Sequence, residues 1–237
     1  QLGDGTSVNR NSPVQVGALT DWSRVAGGAQ FSLAVKTNGT LWAWGQNTSG
    51  QLGLGNTTSR SSPVQVGTLT TWLKVAAGYN FSIAVKTDGT LWSWGNGGNG
   101  KLGHNNTTNY SSPVQVGALT GWATPAAGNS HSAATTTSGA LYTWGYNGYG
   151  QLGLGTTVTQ SSPVQVGALT NWYQIQLGSN LASSIKTDGT LWTWGRNAFG
   201  ALAQGNTTNY SSPVQVGSLT TWDSLAMSAA LFGIKTS

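Results

Sequence analysis

The stretch KTDGTLWSWG at residues 86–95 is spelled again as KTNGTLWAWG at 36–45, TTSGALYTWG at 136–145 and KTDGTLWTWG at 186–195, and it begins once more as KTS at 235–237. In each copy a Gly-containing turn separates two short alternating runs, FSIAV before and LWSWG after in the second copy. This pattern predicts a β-hairpin, because Asp-Gly readily supplies the positive φ that a tight primed turn needs. Further out, each copy carries a WxxVAAG-like segment ahead of the hairpin and a Gly/Asn/Thr loop with SSPVQVG behind it. The prolines of that last segment, Pro13, Pro63, Pro113, Pro163 and Pro213, recur every 50 residues. Four short alternating runs per copy, without helical period, predict a four-stranded antiparallel meander whose strands are called A to D in chain order.

Alternation assigns the tryptophans. In LWSWG, Trp92 and Trp94 share one face and Leu91 and Ser93 the other; in FSIAV, Phe81, Ile83 and Val85 oppose Ser82 and Ala84. A lone sheet would leave its bulky face wet. Stacking the aromatic face of one sheet on the small-residue face of the next buries both, at about 1.5–3 kcal/mol for each large apolar side chain, so repetition becomes the source of stability. Trp42, Trp44, Trp92, Trp94, Trp144, Trp192 and Trp194 are accordingly read as packing residues. Radial stacking of such sheets gives the expected fold class: all-β, a β-propeller of four-stranded antiparallel blades.

The string WxWGxNxxGQLGxGxxxxxxxPxxV, present as WAWGQNTSGQLGLGNTTSRSSPVQV at 42–66, resembles the repeat of the regulator of chromosome condensation family. The resemblance runs through five copies over essentially the whole chain. Kelch repeats share the length but carry a paired glycine that is missing here. The last copy departs most: QLG becomes ALA at 201–203, and VAAGYNFSIAVKTD shortens to LAMSAALFGIKTS at 225–237. One propeller domain over 1–237 is expected, with five blades and a closing blade that draws on residues 1–17 and 218–237 but lacks strand C. Two alternatives stay open: an excerpt of a seven-bladed propeller, the blade number the resemblance implies, and a strand supplied by a partner.

Composition narrows the functions. Only 6% of residues are charged, Glu is absent, and a net charge of +5 reflects ten scattered cations against five Asp. No basic stripe follows a phosphate backbone, so nucleic acid is not an expected partner. No apolar run approaches the roughly 20 residues of a membrane span, and with no Cys there are neither disulfides nor thiolate metal sites. Catalysis needs clustered titratable groups. Asp88 and Asp188 belong to the hairpin turn, Asp4, Asp21 and Asp223 fall in three different repeat columns, and His104 and His131 are also in different columns from each other. The glycine-rich GNGGNG at 95–100 lacks the Lys-Ser/Thr of a phosphate loop. No enzyme, cofactor or metal is expected.

Recognition remains. Strand order puts the A–B and C–D loops at one end of each sheet and the B–C and D–A loops at the other. KTDGT and GALT hardly change between copies, whereas the first pair of loops varies. The candidate ligand-binding residues are therefore Gln30, Tyr79, Asn80, Asn129, Ser130, His131 and Asn180 in the A–B loops, with Tyr146, Tyr149, Arg196 and Phe199 in the C–D loops. Exposed loops also vary from lack of constraint, so variation alone does not identify a site. The expected function is a non-enzymatic interaction module that presents this face to a protein or a glycan. Low charge and Thr/Asn-rich loops suggest an extracellular, cell-surface or virion setting. The alternatives are a structural decoration subunit of a larger assembly and, through the family resemblance, a guanine-nucleotide exchange factor for a small GTPase. In that exchange factor a His and acidic residues on this kind of face engage the GTPase; here His131 stands without an acid. A light-sensing role like that of the related plant photoreceptor would need Trp and Arg in the column that holds Gln30, Asn80, Ser130 and Asn180.

Overall fold

Each full copy folds as the meander that its alternation predicts. In the computed structural model, which describes residues 1–18, 20–227 and 231–235 (227 and 231–235 as backbone only), sheet I comprises β1 (Trp22–Gly27), β2 (Phe31–Lys36), β3 (Leu41–Gly45) and β4 (Arg60–Gln65). Sheet II comprises β5 (Trp72–Ala77), β6 (Phe81–Lys86), β7 (Leu91–Gly95) and β8 (Tyr110–Gln115). Sheet III comprises β9 (Trp122–Ala127), β10 (His131–Thr136), β11 (Leu141–Gly145) and β12 (Gln160–Gln165). Sheet IV comprises β13 (Trp172–Leu177), β14 (Leu181–Lys186), β15 (Leu191–Gly195) and β16 (Tyr210–Gln215). All four are antiparallel with neighbours in chain order, and β17 (Trp222–Met227) and β18 (Leu231–Lys235) form a two-stranded sheet. The chain divides into two compact units, one of residues 1–97 with 108–120, the other of 98–107 with 121–237.

Five repeats thus give four complete sheets. Residues 10–15 match the D-strand sequence of the other copies, yet no strand forms there, since a D strand pairs only with a C strand. Of the expected closing blade the hairpin is present, while 228–230 and 236–237 lie outside the described residues. The repeated prolines Pro63, Pro113, Pro163 and Pro213 lie in the edge strands β4, β8, β12 and β16, where a missing N–H is tolerated.

The turn differs in type from the primed turn expected of Asp-Gly. Positive φ falls on the glycine alone, 77° at Gly39 and 75° at Gly89. Gly89 N–H donates to the Lys86 carbonyl and Lys86 N–H to that of Thr90, so the loop is a type I turn closed by a left-handed glycine. Asp88 acts through its side chain: its Oδ1 accepts from the Thr90 N–H at 2.9 Å and hydroxyl at 2.6 Å. Thr90 Oγ1 in turn accepts the Trp92 indole N–H at 2.8 Å, and Asn38 and Asp188 repeat the relay. The glycine is also a point of contact. A Cβ on Gly39 would lie 2.1 Å from the Thr70 carbonyl of the following D–A loop, and the same crowding recurs at Gly139 with Thr170 and Gly189 with Thr220. This close approach accounts for the glycine of KTDGT, and the relay for its Asp and second Thr.

The second Trp of strand C ties sheet II to sheet I and sheet IV to sheet III. Trp94 is fully buried, and its indole N–H donates to the Gln51 carbonyl at 2.9 Å. Trp44, Trp144 and Trp194 do the same with the carbonyls of Gln1, Lys101 and Gln151. A Cβ on Gly53 would stand 2.8 Å from the Trp94 indole nitrogen, and one on Gly153 equally close to that of Trp194. The glycine of QLG is therefore the seat of the next repeat's tryptophan. Trp42, Trp92 and Trp192 are only half-buried, so the packing role holds fully for the second tryptophan and partly for the first. Trp94→Ala should cost about 3–5 kcal/mol by leaving a cavity and an unbonded carbonyl. Gly53→Ala should destabilise as well, through the clash and the positive φ of 74°. Urea denaturation checks both, and an unchanged midpoint for Trp94→Ala would remove this contact from the account.

Candidate functional site

Within each sheet the A–B and C–D loops meet through the main chain. Gln46 and Asn96 donate to the carbonyls of Gln30 and Asn80 in the first unit, and Tyr146 and Arg196 to those of Ser130 and Asn180 in the second, all at 2.8–3.0 Å. The C–D loop is braced from inside. Asn47, fully buried, accepts from Leu52 N–H and donates to the carbonyls of Asn56 and Thr58; Asn147 and Asn197 accept likewise from Leu152 and Leu202. The loop tips are left to vary on a rigid base.

In the first unit the candidates stand apart: Gln30 is exposed, Tyr79 is 58% exposed, and Asn80 is half-buried. In the second they converge. Tyr146 packs edge-on to Tyr149 with centroids 6.2 Å apart, and the Arg196 guanidinium lies 5.1 Å from the centre of the Tyr149 ring. Gln151, not foreseen as a site residue, joins the two sheets beneath them: its Oε1 accepts from Tyr149 N–H at 2.9 Å and its Nε2 reaches Asn180 Oδ1 at 3.5 Å. Asn180 receives Arg196 through its carbonyl, which closes a loop of contacts. Its counterpart Gln51 has Gln46 and Ser49 in place of the two tyrosines, so the aromatic patch belongs to one repeat. Phe199, 92% exposed, stands in the same C–D loop as Arg196, and Asn129 and Ser130 lie exposed and half-buried at the A–B side.

His131 is a correction. It was expected in the binding face, but it is fully buried in the column that holds Phe31, Phe81 and Leu181, over Gly128, where a Cβ would meet its ring at 2.6 Å. Burial pulls its pKa down to about 4; the Leu181 main chain opposes this weakly, and neither ring nitrogen makes a well-formed hydrogen bond. It acts as a neutral ring filling an aromatic slot.

The carboxylates have local partners. Asp4 pairs with Arg10 at 2.7 Å, which together with Thr6 holds its pKa at about 2. Asp21 pairs with Lys36 at 3.4 Å, and Thr90 and Thr190 keep Asp88 and Asp188 below the usual carboxylate range. Among the described residues no three His, Cys, Asp or Glu side chains cluster for a metal, and no helix is long and apolar enough to cross a membrane. Lys101 occupies the column of Gln51 and Gln151, and burial lowers its pKa to about 8.

The fold and its loops define an all-β repeat protein built of propeller-type blades. Residues 38–85, 88–135, 138–184 and 188–229 match the regulator of chromosome condensation (RCC1) repeat, and a second form of that repeat matches 22–51 and 72–101. The chain belongs to the RCC1 repeat family. Among solved structures it is similar to human WBSCR16 (TM-score 0.85, 22% identity, 100% of this chain and 65% of that one). It is also similar to Prp20p from Saccharomyces cerevisiae (TM-score 0.83, 19% identity, 96% of this chain and 60% of that one), whose structure was described with its binding to Gsp1p and histones. Yeast RCC1 (Prp20) bound to Kap60 matches at TM-score 0.79 and 20% identity, over 91% of this chain and 54% of that one. The chain thus spans about 60% of the length of these structures, and the likeness establishes the fold. No curated protein matches the chain in sequence.

Stability should depend on pH through His131. The unfolded chain takes up the proton near the ordinary histidine pKa of about 6.5 and the folded one only near 4, so the native state is unpenalised above 6.5 and weakens as pH falls toward 4, by up to about 3 kcal/mol. His131→Phe, the residue of the first two repeats, should flatten that slope. Urea midpoints from pH 7 to 4 for both proteins check it.

Proposed function

We propose that this chain is a non-enzymatic protein-recognition module that binds its partner through the Tyr146, Tyr149, Arg196 and Phe199 patch. The observation that carries this reading is the supported cluster itself: two tyrosines and an arginine in mutual contact, tied across two sheets by Gln151 and Asn180, with Phe199 in the arginine's loop left almost wholly in water. Rigid Tyr and Arg anchors on a braced loop are the usual carriers of interface energy. Structural relatives with described protein partners, Prp20p among them, support the coarse reading. An exchange-factor role finds less support, because His131, the one residue resembling that function, lies in the core. The charge-poor, Thr/Asn-rich loops favour a surface-exposed setting, outside a cell or on a virion, in which the module serves a larger assembly.

A photo-crosslinking phenylalanine analogue at Phe199 should capture the partner, and Tyr149→Ala with Arg196→Ala should weaken binding by 2 kcal/mol or more, roughly thirtyfold, while changing stability by about 0.5 kcal/mol or less. A captured partner whose affinity ignores the double substitution, or which contacts the KTDGT turns instead, would refute the reading.

A further inference from the structure

At the end of β6 the Lys86 ammonium rests against two indoles, 3.6 Å from the Trp92 ring centre and 4.8 Å from that of Trp72; Lys186 repeats this over Trp192 and Trp172 at 3.6 and 4.7 Å. Both lysines are buried, 6% and 5% exposed. Lys36 occupies the same place in sheet I, and there Asp21 Oδ2 supplies the counter-charge. The column of Asp21 holds Thr71 in sheet II and Asn171 in sheet IV, as the shared main-chain bonds from Thr37, Thr87 and Thr187 confirm. Asp88 and Asp188, two residues on, bond Thr90 and Thr190 and form no ion pair with these lysines. Burial lowers both lysine pKa values more than these neighbouring acids restore them. Neither ammonium has the direct carboxylate contact that Asp21 gives Lys36, because the nearby acid stands in the turn, bonded to threonine, where sheet I has Asn38.

Beside each ammonium a hollow opens, of about 370 Å³ at Lys86 and about 440 Å³ at Lys186. Its walls are the half-buried Trp92 with Leu54, Leu69 and Pro113, and in the second unit Trp192 with Leu154, Leu169 and Pro213. Such volumes lie at the small end of ligand pockets. The N–H groups of Gly53, Gly55 and Val66 in the wall already bond protein carbonyls, as do those of Gly153, Gly155 and Val166. The anchor is therefore one point charge. It matches a carboxylate, whereas a phosphate or sulfate would call for more donors. With these wall amides engaged, the hollow offers little of the main-chain pairing by which extended peptides are read, but indole, leucine and proline walls suit a ring with one apolar face.

We propose that the two hollows are equivalent subsites for hexuronic acid units of an acidic polysaccharide. The sugar carboxylate binds Lys86 or Lys186 as Asp21 binds Lys36, and the ring lies against the tryptophan. Each hollow takes one uronate unit by itself, so every repeating unit of such a polymer is a ligand for either site. The proposal is independent of the tyrosine-arginine patch.

Titration of intrinsic tryptophan fluorescence and calorimetry with oligogalacturonate tests it. Oligogalacturonate should bind, its methyl ester should bind at least about tenfold more weakly, and polyglutamate should not compete. Lys86→Met with Lys186→Met should lose binding. Thr71→Asp with Asn171→Asp, which restores the counter-charge of sheet I, should also weaken binding at least about tenfold while keeping or raising the melting temperature, so loss of folding does not mimic the result. Tyr149→Ala with Arg196→Ala should leave sugar binding unchanged. No binding at millimolar sugar, equal binding of the ester, binding of polyglutamate in its place, or an aspartate variant that binds like the parent would each overturn the proposal.

Discussion

A tryptophan N–H bonded to a main-chain carbonyl of the preceding repeat holds sheet to sheet in both units. The Trp94 indole needs a carbonyl because a buried donor without one costs about 1–3 kcal/mol, and the Gln51 carbonyl is open to it only because Gly53 has no Cβ to stand in the way. Ser82 Oγ donates to the same carbonyl at 2.7 Å, as Ser132 does to that of Lys101, so strands B and C of one sheet converge on a single oxygen of the last. A repeat of this kind has no complete core alone. Its aromatic face is finished by its neighbour, which makes stability a property of the array.

The same economy of contact separates the two ends of each sheet. At the B–C end, the glycine of the turn touches the backbone of the next D–A loop, the Asp-Thr-Trp relay fixes the turn from within, and nearly every residue has a structural partner. Little can vary there. At the other end, buried Asn47, Asn147 and Asn197 hold the loop base, and the residue that follows each of them, Thr48, Gly148 and Ala198, is exposed. The surface that differs between repeats is thus displayed on a frame that does not, as suits a module whose specificity lies in a few side chains.

Position in a repeat column also governs chemistry. His131 fills a slot otherwise given to Phe or Leu, and burial takes away the proton that would make it a useful surface group. Lys101, in a glutamine column, is likewise depressed by burial, whereas Lys36 has Asp21 beside it at 3.4 Å. Residue type alone says little about either; the column and its solvent access decide.

The 50-residue period, the alternation and the glycines made the strands, their antiparallel order, the tryptophan packing and the repeat family legible from the sequence, because each is a local pattern repeated in register. The variable loops were legible too, and with them Tyr146, Tyr149, Arg196 and Phe199. Three matters were decided only in three dimensions. The burial of His131 depends on which way one strand residue faces against the neighbouring sheet. The joining of Tyr149 to Asn180 through Gln151 depends on two sheets meeting across 29 residues of chain. The charged hollow at Lys86 depends on residues 53–55, 65–69 and 112–113 gathering around it. Such juxtapositions leave no periodic trace in a sequence, since they arise where distant segments pack and not within any one of them.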